Sequence, residues 1–333
     1  MKAFILDHYG KSAALRMVEV PEPEAGDNDV LVEIHAASVN VLDSKLRNGE
    51  FKLLLPYRLP LILGNDVAGV VIRVGARVRH FRIGDEVYAR PDAKRIGAFA
   101  ERIAMNEEAV ALKPKSLSME EAASLPLVAL TAWQVLVERA RLRKGQKVLI
   151  HAGSGGVGTV SIQLAKHLGA FVATTTSTAN ADWVKGLGAD VVIDYSKEDF
   201  EKRLQDYDVV LHSLGADALE KSLRVLKPGG QLISISGPPD PAFAQEIGAP
   251  WFIRQVMRLL SYRIRKKAAR HGVSYSFLFM KASGDQLREI ATLVDSGAVR
   301  PVIDRTFPFA SINEALAYVD RGRAKGKVVI KVR

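Results

Sequence analysis

The 333-residue chain contains no cysteine. That excludes a disulfide framework, a thiolate nucleophile and any zinc held by cysteine sulfur, and it suits a reducing cytoplasm. Long hydrophobic runs are missing too. The longest apolar stretch, residues 53–63, is cut by Pro56, Arg58 and Pro60, so no window approaches the ~18 unbroken apolar residues of a membrane span. The opening Met-Lys-Ala-Phe-Ile-Leu-Asp-His is too briefly apolar for the core of a secretion signal, and Asp7 interrupts it. There is no internal repeat or low-complexity segment. Acidic residues are absent between Ile247 and Gly284, which concentrates part of the +10 net charge in one place. What is left, 48% hydrophobic and 25% charged, is ordinary for a globular protein and long enough for two domains.

Among the segments present, residues 147–159, Lys-Val-Leu-Ile-His-Ala-Gly-Ser-Gly-Gly-Val-Gly-Thr, say most. They read as a strand, a glycine turn and a helix. Gly153, Gly155 and Gly158 form G-x-G-x-x-G: the first allows a tight turn, the second lets the backbone approach a pyrophosphate, and the third lets the helix sit close on the strand. Free N–H groups at the helix start, from Gly156 and Val157 onward, then face the anion. Val148, Leu149 and Ile150 supply a buried strand before the turn, and Val157, Val160, Leu164 and Leu168 recur at helical spacing after it, up to a stop at Gly169. Further apolar runs at 171–174, 191–193, 209–211 and 232–235 alternate with helix-like stretches such as 181–187 and 218–226. Strand alternating with helix predicts a parallel, doubly wound sheet of the Rossmann kind.

Residues 1–123 differ. Short strands such as 30–36 and 67–74, punctuated by Gly64, Gly69, Gly75 and Gly84, predict a β-rich domain. The C-terminal stretch 300–333 is again strand-like, so one domain is expected to be built from both chain ends. The boundaries are expected at 1–123, 124–282 for the nucleotide domain with a basic helical insertion near 240–272, and 283–333 for the return.

Several motifs in this order carry a resemblance over nearly the whole chain: 37–49 (Ala-Ser-Val-Asn-Val-Leu-Asp-Ser-Lys-Leu-Arg-Asn-Gly), 63–71 (Leu-Gly-Asn-Asp-Val-Ala-Gly-Val-Val), 97–101 (Gly-Ala-Phe-Ala-Glu), 130–133 (Leu-Thr-Ala-Trp), the glycine turn, and 326–330 (Gly-Lys-Val-Val-Ile). The sequence resembles the zinc-independent medium-chain dehydrogenase/reductases, and more narrowly their quinone oxidoreductase and alkenal/enone reductase branch. The resemblance implies a GroES-like catalytic domain beside the Rossmann domain. It departs from the zinc alcohol dehydrogenases of the same superfamily at the metal ligands. Asn40 stands where those enzymes have the cysteine of C-x-x-D, Gly64-Asn65-Asp66 stands for their G-H-E, and the cysteine-rich zinc lobe is absent. Oxidising an alcohol through a metal alkoxide needs a Lewis acid, and this first shell could not hold one.

The chemistry implied is metal-free hydride transfer from NADPH to an acceptor that is already electrophilic, such as an enone, an enal or a quinone. Negative charge then reaches the carbonyl oxygen, which calls for a fixed donor. The resemblance assigns Lys45 to that donation and Asn40 to orienting substrate or cofactor beside the nicotinamide. Asp43 is expected to tie the loop to Arg47 or to a backbone amide, with Asn65 and Asp66 lining or supporting the cleft. Thr131 is expected near the nicotinamide. His151 and His35 read as satisfied core or edge histidines.

An NAD-specific site places an acid at the end of the second strand. Here residues 173–180 read Ala-Thr-Thr-Thr-Ser-Thr-Ala-Asn, which leaves room for a 2′-phosphate and predicts NADPH. Ser177, Thr178 and Asn180 are the expected phosphate contacts, with Tyr195 on the adenosine side. Relatives carry a Lys or Arg where this chain has Ala179, so Lys185 is the substitute cation; Asp182, the acid that could support NADH, lies too far past the strand. The resemblance also assigns Leu214, Gly215, Ser236, Gly237 and Phe279 to the cofactor and sends Lys327 to its phosphates.

Residues 249–272 carry Arg254, Arg258, Arg263, Arg265, Lys266, Lys267 and Arg270 interleaved with apolar residues, and read as a cationic amphipathic helix. Shorter quinone reductases lack much of it. Three roles compete: covering the substrate cleft or a dimer contact, lying on an anionic membrane surface, or binding nucleic acid or a protein partner, nucleic acid being the least expected. The expectation is thus a cytoplasmic homodimeric NADPH-dependent reductase. Its alternatives are a quinone reductase in the strict sense and a nucleotide-bound, non-catalytic scaffold acting through the basic segment.

Overall fold

The apolar triplet Val148, Leu149 and Ile150 is fully buried in the strand Lys147–Ile150, which has a parallel neighbour on each side, Phe171–Thr176 and Tyr207–His212. A strand covered on both faces has no reason to alternate polar and apolar residues, hence the continuous run. A computed structural model describes residues 1–11, 13–52 and 54–333 of the chain. Leu53, which opens the longest apolar stretch, lies outside the described residues.

The chain divides into two units, Met1–Leu130 with Lys281–Arg333, and Thr131–Met280. In the second unit six parallel strands run in the order Val191–Asp194, Phe171–Thr176, Lys147–Ile150, Tyr207–His212, Leu226–Ser234, Ser274–Phe277. Numbered within the unit this is 3-2-1-4-5-6, the order of a dinucleotide-binding Rossmann fold. The last strand, Ser-Tyr-Ser-Phe, is too short to read from sequence, although its Tyr275 and Phe277 alternate into the core. The sheet core gathers Leu149, Ala173, Ile193, Val210 and Leu232 against helix residues Leu219 and Leu223.

The basic segment is not one helix. It forms Trp251–Leu260 and Tyr262–Arg270, broken at Ser261, whose buried hydroxyl turns back to the Met257 carbonyl at 2.8 Å. Such back-bonding bends helices.

In the first unit a seven-stranded sheet contains Ile303–Pro308, Lys327–Lys331, Asp29–Val39, Val67–Val74, Glu86–Ala89 and Val110–Leu112 in that order, with Arg102–Asn106 also pairing to Asp29–Val39. The GroES-like β-rich architecture therefore draws on both chain ends. The C-terminal stretch is less uniformly strand-like than its composition suggests, because the helix Ile312–Asp320 lies between its two strands and buries Ile312, Ala315 and Leu316. Two registers position the site. Val328 pairs with Val39, which brings Lys327 to the end of the long strand where Asn40 follows, and Val67 pairs with Ala37, which sets Asp66 beside Ser38. Among the described residues no helix is long and apolar enough to cross a membrane.

Candidate active site

In the catalytic unit Asn40 ends the long strand and caps the helix Val41–Arg47. Its backbone N–H donates to the Asp43 carboxylate at 2.8 Å, the reach-back half of a capping box. The Asn40 side chain turns elsewhere: Oδ1 accepts from the Lys327 ammonium at 2.5 Å and Nδ2 donates to Asp66 at 2.8 Å. A flipped amide would set NH2 against an ammonium and oxygen against a carboxylate, so charge alone fixes its orientation. Asp66 is fully buried and also accepts from the Ser38 hydroxyl at 2.7 Å, the Leu127 N–H at 2.7 Å and Lys327 at 3.2 Å. Asn65 donates to Asp43 at 2.7 Å, while its own buried Oδ1 has no partner among the described residues. Burial pushes the Asp43 carboxyl up to about 6, against the hydrogen bonds from Asn65 and Asn40 that favour its charge.

This geometry decides between the alternatives expected for three residues and corrects the placement of a fourth. Asp43 is tied to a backbone amide and to Asn65, whereas Arg47 pairs with Asp320 at 2.8 Å. Asn65 and Asp66 support the site from within and line nothing. Lys327, expected at the cofactor phosphates, is 5% exposed, and its ammonium is held by Asn40, Asp66 and the Val39 carbonyl. Three acceptors meet its three donors, so none is left for a phosphate. No motif flagged Arg90, which is entirely buried and donates to the Pro91 carbonyl at 2.8 Å. Burial pulls its pKa down, against nearby Tyr57, Asp66, Asp92 and Asp43. Lys45 is half-buried on the capped helix, and among the described residues no hydrogen bond or ion pair engages its ammonium.

In the nucleotide unit, the tight residue of the glycine turn is Ala152, at φ +52. A side chain on Gly158 would strike the Ala152 carbonyl at 2.2 Å, and one on Gly153 would strike Thr174 at 2.2 Å. Gly155 is different: a Cβ there would meet only the Ala152 carbonyl, at 3.4 Å. The outer glycines serve packing, and Gly155 keeps a surface bare. The helix Gly156–His167 starts with no side-chain cap, and its first internal backbone bond comes from Thr159 to Gly155. The N–H groups of Gly156, Val157 and Gly158 are therefore oriented donors at a positive helix end, a cradle that fits a pyrophosphate.

Two buried histidines wire the surrounding loops. Ser222 gives its hydroxyl hydrogen to the Ala218 carbonyl at 2.6 Å, so His151 Nε2 must donate to Ser222 at 2.9 Å. His151 Nδ1 then accepts from Thr175 at 3.2 Å, and Thr175 in turn accepts from the Ala152 N–H. His212 Nε2 donates to the Gly215 carbonyl at 3.2 Å and its Nδ1 accepts from Ser234 at 2.9 Å, while Ser234 accepts from the Gly237 N–H at 2.7 Å. Ser236 closes the same group by donating to the Leu214 carbonyl at 2.8 Å. Leu214, Gly215, Ser236 and Gly237 are thus brought together. Burial drives His151 down to about 3, helped by neighbouring His212, and His212 down to about 4 against its bond to Gly215.

At the end of the second strand, Asn180 donates to Ser177 at 3.1 Å and accepts from Trp183 at 3.1 Å. Thr178 donates to Asp194, an acid that the sequence reading passed over. Parallel pairing of Thr176 with Asp194 sets this carboxylate beside the expected phosphate contacts. Hydrogen bonds from Ser196 and Thr178 hold it down at about 2, and Lys197 stands 3.5 Å away. Asp182 is therefore not the nearest acid. Lys185 and Tyr195 are exposed, Thr131 is buried within the helix Pro126–Trp133, and Phe279 is half-buried with its ring 6.2 Å from that of Phe243.

Two family profiles match the chain: alcohol dehydrogenase GroES-like domain over residues 26–115, and zinc-binding dehydrogenase over residues 187–330. The 2-methylene-furan-3-one reductase of Solanum lycopersicum is 38% identical, with 99% of this chain and 79% of that protein aligned. The mitochondrial NAD(P)H oxidoreductase RTN4IP1 of Mus musculus is 37% identical, over 100% of this chain and 89% of that protein. Among solved structures, the quinone oxidoreductase from Coxiella burnetii superposes with a TM-score of 0.87 at 33% identity, covering 100% of this chain and 99% of that one. Asparagines at the two ligand positions, a Rossmann unit with an open pyrophosphate cradle and these likenesses converge: the chain is an NAD(P)H-dependent oxidoreductase of the medium-chain dehydrogenase/reductase family, in its zinc-independent quinone oxidoreductase and alkenal/enone reductase branch.

Proposed function

We propose that the chain reduces the activated C=C bond of an α,β-unsaturated carbonyl, with NADPH as reductant and without a metal. The observation that carries this reading is the contrast between Lys327, whose ammonium is consumed inside the Asn40–Asp66 cluster, and Lys45, whose ammonium no described group engages. With its pyrophosphate at the Gly156–Gly158 cradle, the reduced cofactor would supply a hydride from its nicotinamide. The chain's own contribution is electrostatic. Lys45 donates to the carbonyl oxygen as charge develops there, and a proton from Lys45 or solvent completes the α-carbon. Asn40, clamped between an ammonium and a carboxylate, has one amide hydrogen left and presents it in a fixed direction.

NADPH is the proposed reductant because the second strand ends in hydroxyl and amide side chains. The nearby Asp194 already serves Thr178 and Ser196 and has Lys197 beside it. Ser177, Asn180 and Lys185 would meet the 2′-phosphate. The same reading includes a homodimer in a reducing cytoplasm, the dimer checked by mass in solution.

The test is NADPH and NADH oxidation against enones, enals and quinones, in the wild type and in Lys45→Ala. Enone turnover that collapses in the variant supports carbonyl donation by Lys45. Quinones as the sole acceptors, turned over equally by both proteins, would replace this reading with quinone reduction, for which the likeness to the Coxiella burnetii structure speaks.

A further inference from the structure

The two helices of the basic segment divide their outward surface between grease and charge. On Trp251–Leu260, Met257 is the buried anchor, while Trp251, Phe252, Val256, Leu259 and Leu260 are each more than half exposed, Trp251 at 74% and Leu259 at 77%. These positions span about half of the helix circumference, with the exposed Gln255 among them, and exposed Arg254 and Arg258 border this arc on the Trp251 side. On Tyr262–Arg270, Ile264 and Ala268 face inward and Arg263, Lys266, Lys267 and Arg270 face solvent. Among the described residues only Lys267 of these cations meets a carboxylate, Glu220 at 2.6 Å. A contiguous apolar patch of this size is uncommon on a free surface and marks a contact.

We propose that this surface docks the protein on an anionic phospholipid membrane, with the Trp251–Leu260 helix lying in the interface and the Tyr262–Arg270 helix over the headgroups. Aromatic and leucine side chains on one face beside uncompensated cations match such a surface in both polarity and charge. A second copy of the chain fits less well. An isologous contact would seat the basic segment of each copy on the same segment of the other, and that segment has no acid between Ile247 and Gly284 to answer its arginines.

The experiment is flotation of the full-length, NADPH-saturated protein with vesicles of phosphatidylcholine alone or with added phosphatidylserine. The expected result is binding that requires phosphatidylserine, weakens with salt and shifts tryptophan emission to the blue through Trp251. Changing Arg263, Lys266 and Arg270 together to Gln should weaken binding roughly a hundredfold, about fivefold for each charge. Phe252→Ser with Leu259→Ser should abolish it, and both sites are exposed enough for the fold to tolerate the change. No flotation, or equal flotation with neutral vesicles, overturns the proposal. So does a double serine variant that fails to bind but halves the mass of the free protein, since the face would then belong to a second copy, or one that binds vesicles as before.

Discussion

Around Asp66 four donors converge on one buried carboxylate, whereas at Gly155 three backbone donors point outward and, among the described residues, no group answers them. The first region is finished when the protein folds. The second is finished only by a ligand. The difference is visible in the glycines as well: Gly158 has no room for a methyl group, while Gly155 has room that the fold does not use. Groups whose partners lie in the chain set stability, and groups left without partners are where binding and chemistry are expected.

Breaking the closed region should give the largest effect. Lys327→Met leaves Asp66 without its buried cation and should cost on the order of 3–5 kcal/mol in urea unfolding; a loss below about 1 kcal/mol would mean that the pair contributes nothing beyond its hydrogen bonds. Lys45→Ala sharpens the contrast from the other side. It should lower kcat for enones by roughly 10²–10³ and leave the urea midpoint where it was, so a matching loss of stability would give Lys45 a structural role.

Asp43 tests the same closed region by pH. Its folded pKa of about 6 lies above the ordinary 3.8, so the folded state holds this proton more tightly than the unfolded state. The stability it lends is present in acid and is lost as pH rises through that interval. Asp43→Asn removes the dependence, and the Asn65 amide can turn so that its orphan carbonyl oxygen meets the new NH2. The variant should therefore gain on the wild type by up to about 3 kcal/mol between pH ~4 and pH ~7. A constant difference across that range would show that Asp43 does not titrate there.

At the open region, Gly155→Ala should weaken NADPH binding by roughly five- to 150-fold, as a methyl group inserted into a close contact does, with little change in melting temperature. Unchanged affinity measured by calorimetry would remove Gly155 from the cradle. The smallest effect belongs to Asp194→Ser, expected to tighten NADPH a few-fold while leaving NADH unaltered; a change confined to NADH would instead give Asp194 a ribose.

Much of this was legible in the chain itself. The glycine turn is a local pattern, the strand-helix alternation is a repetition of such patterns, and the asparagines at positions 40 and 65 stand out through the family resemblance of the segments that hold them. Lys327 was misplaced because its partner Asn40 is 287 residues away and the two meet through a strand register that no local pattern carries. Asp194 was missed for the same kind of reason: it belongs to the next strand and reaches Thr178 only because the strands pair in parallel. The break at Ser261 escaped because periodicity continues through a side-chain bond that bends the helix.

His151 and His212, at about 3 and 4, are neutral at any pH where the protein would operate. The loops they tie down therefore keep one protonation state, and their shape does not respond to acidity. Neither imidazole then contributes to a change in NADPH affinity between mild acid and neutrality, the interval in which the ligand's own 2′-phosphate takes its second ionisation, near pH ~6 for a phosphate monoester. Held neutral behind the cradle, the two imidazoles act as fixed struts and not as acid sensors.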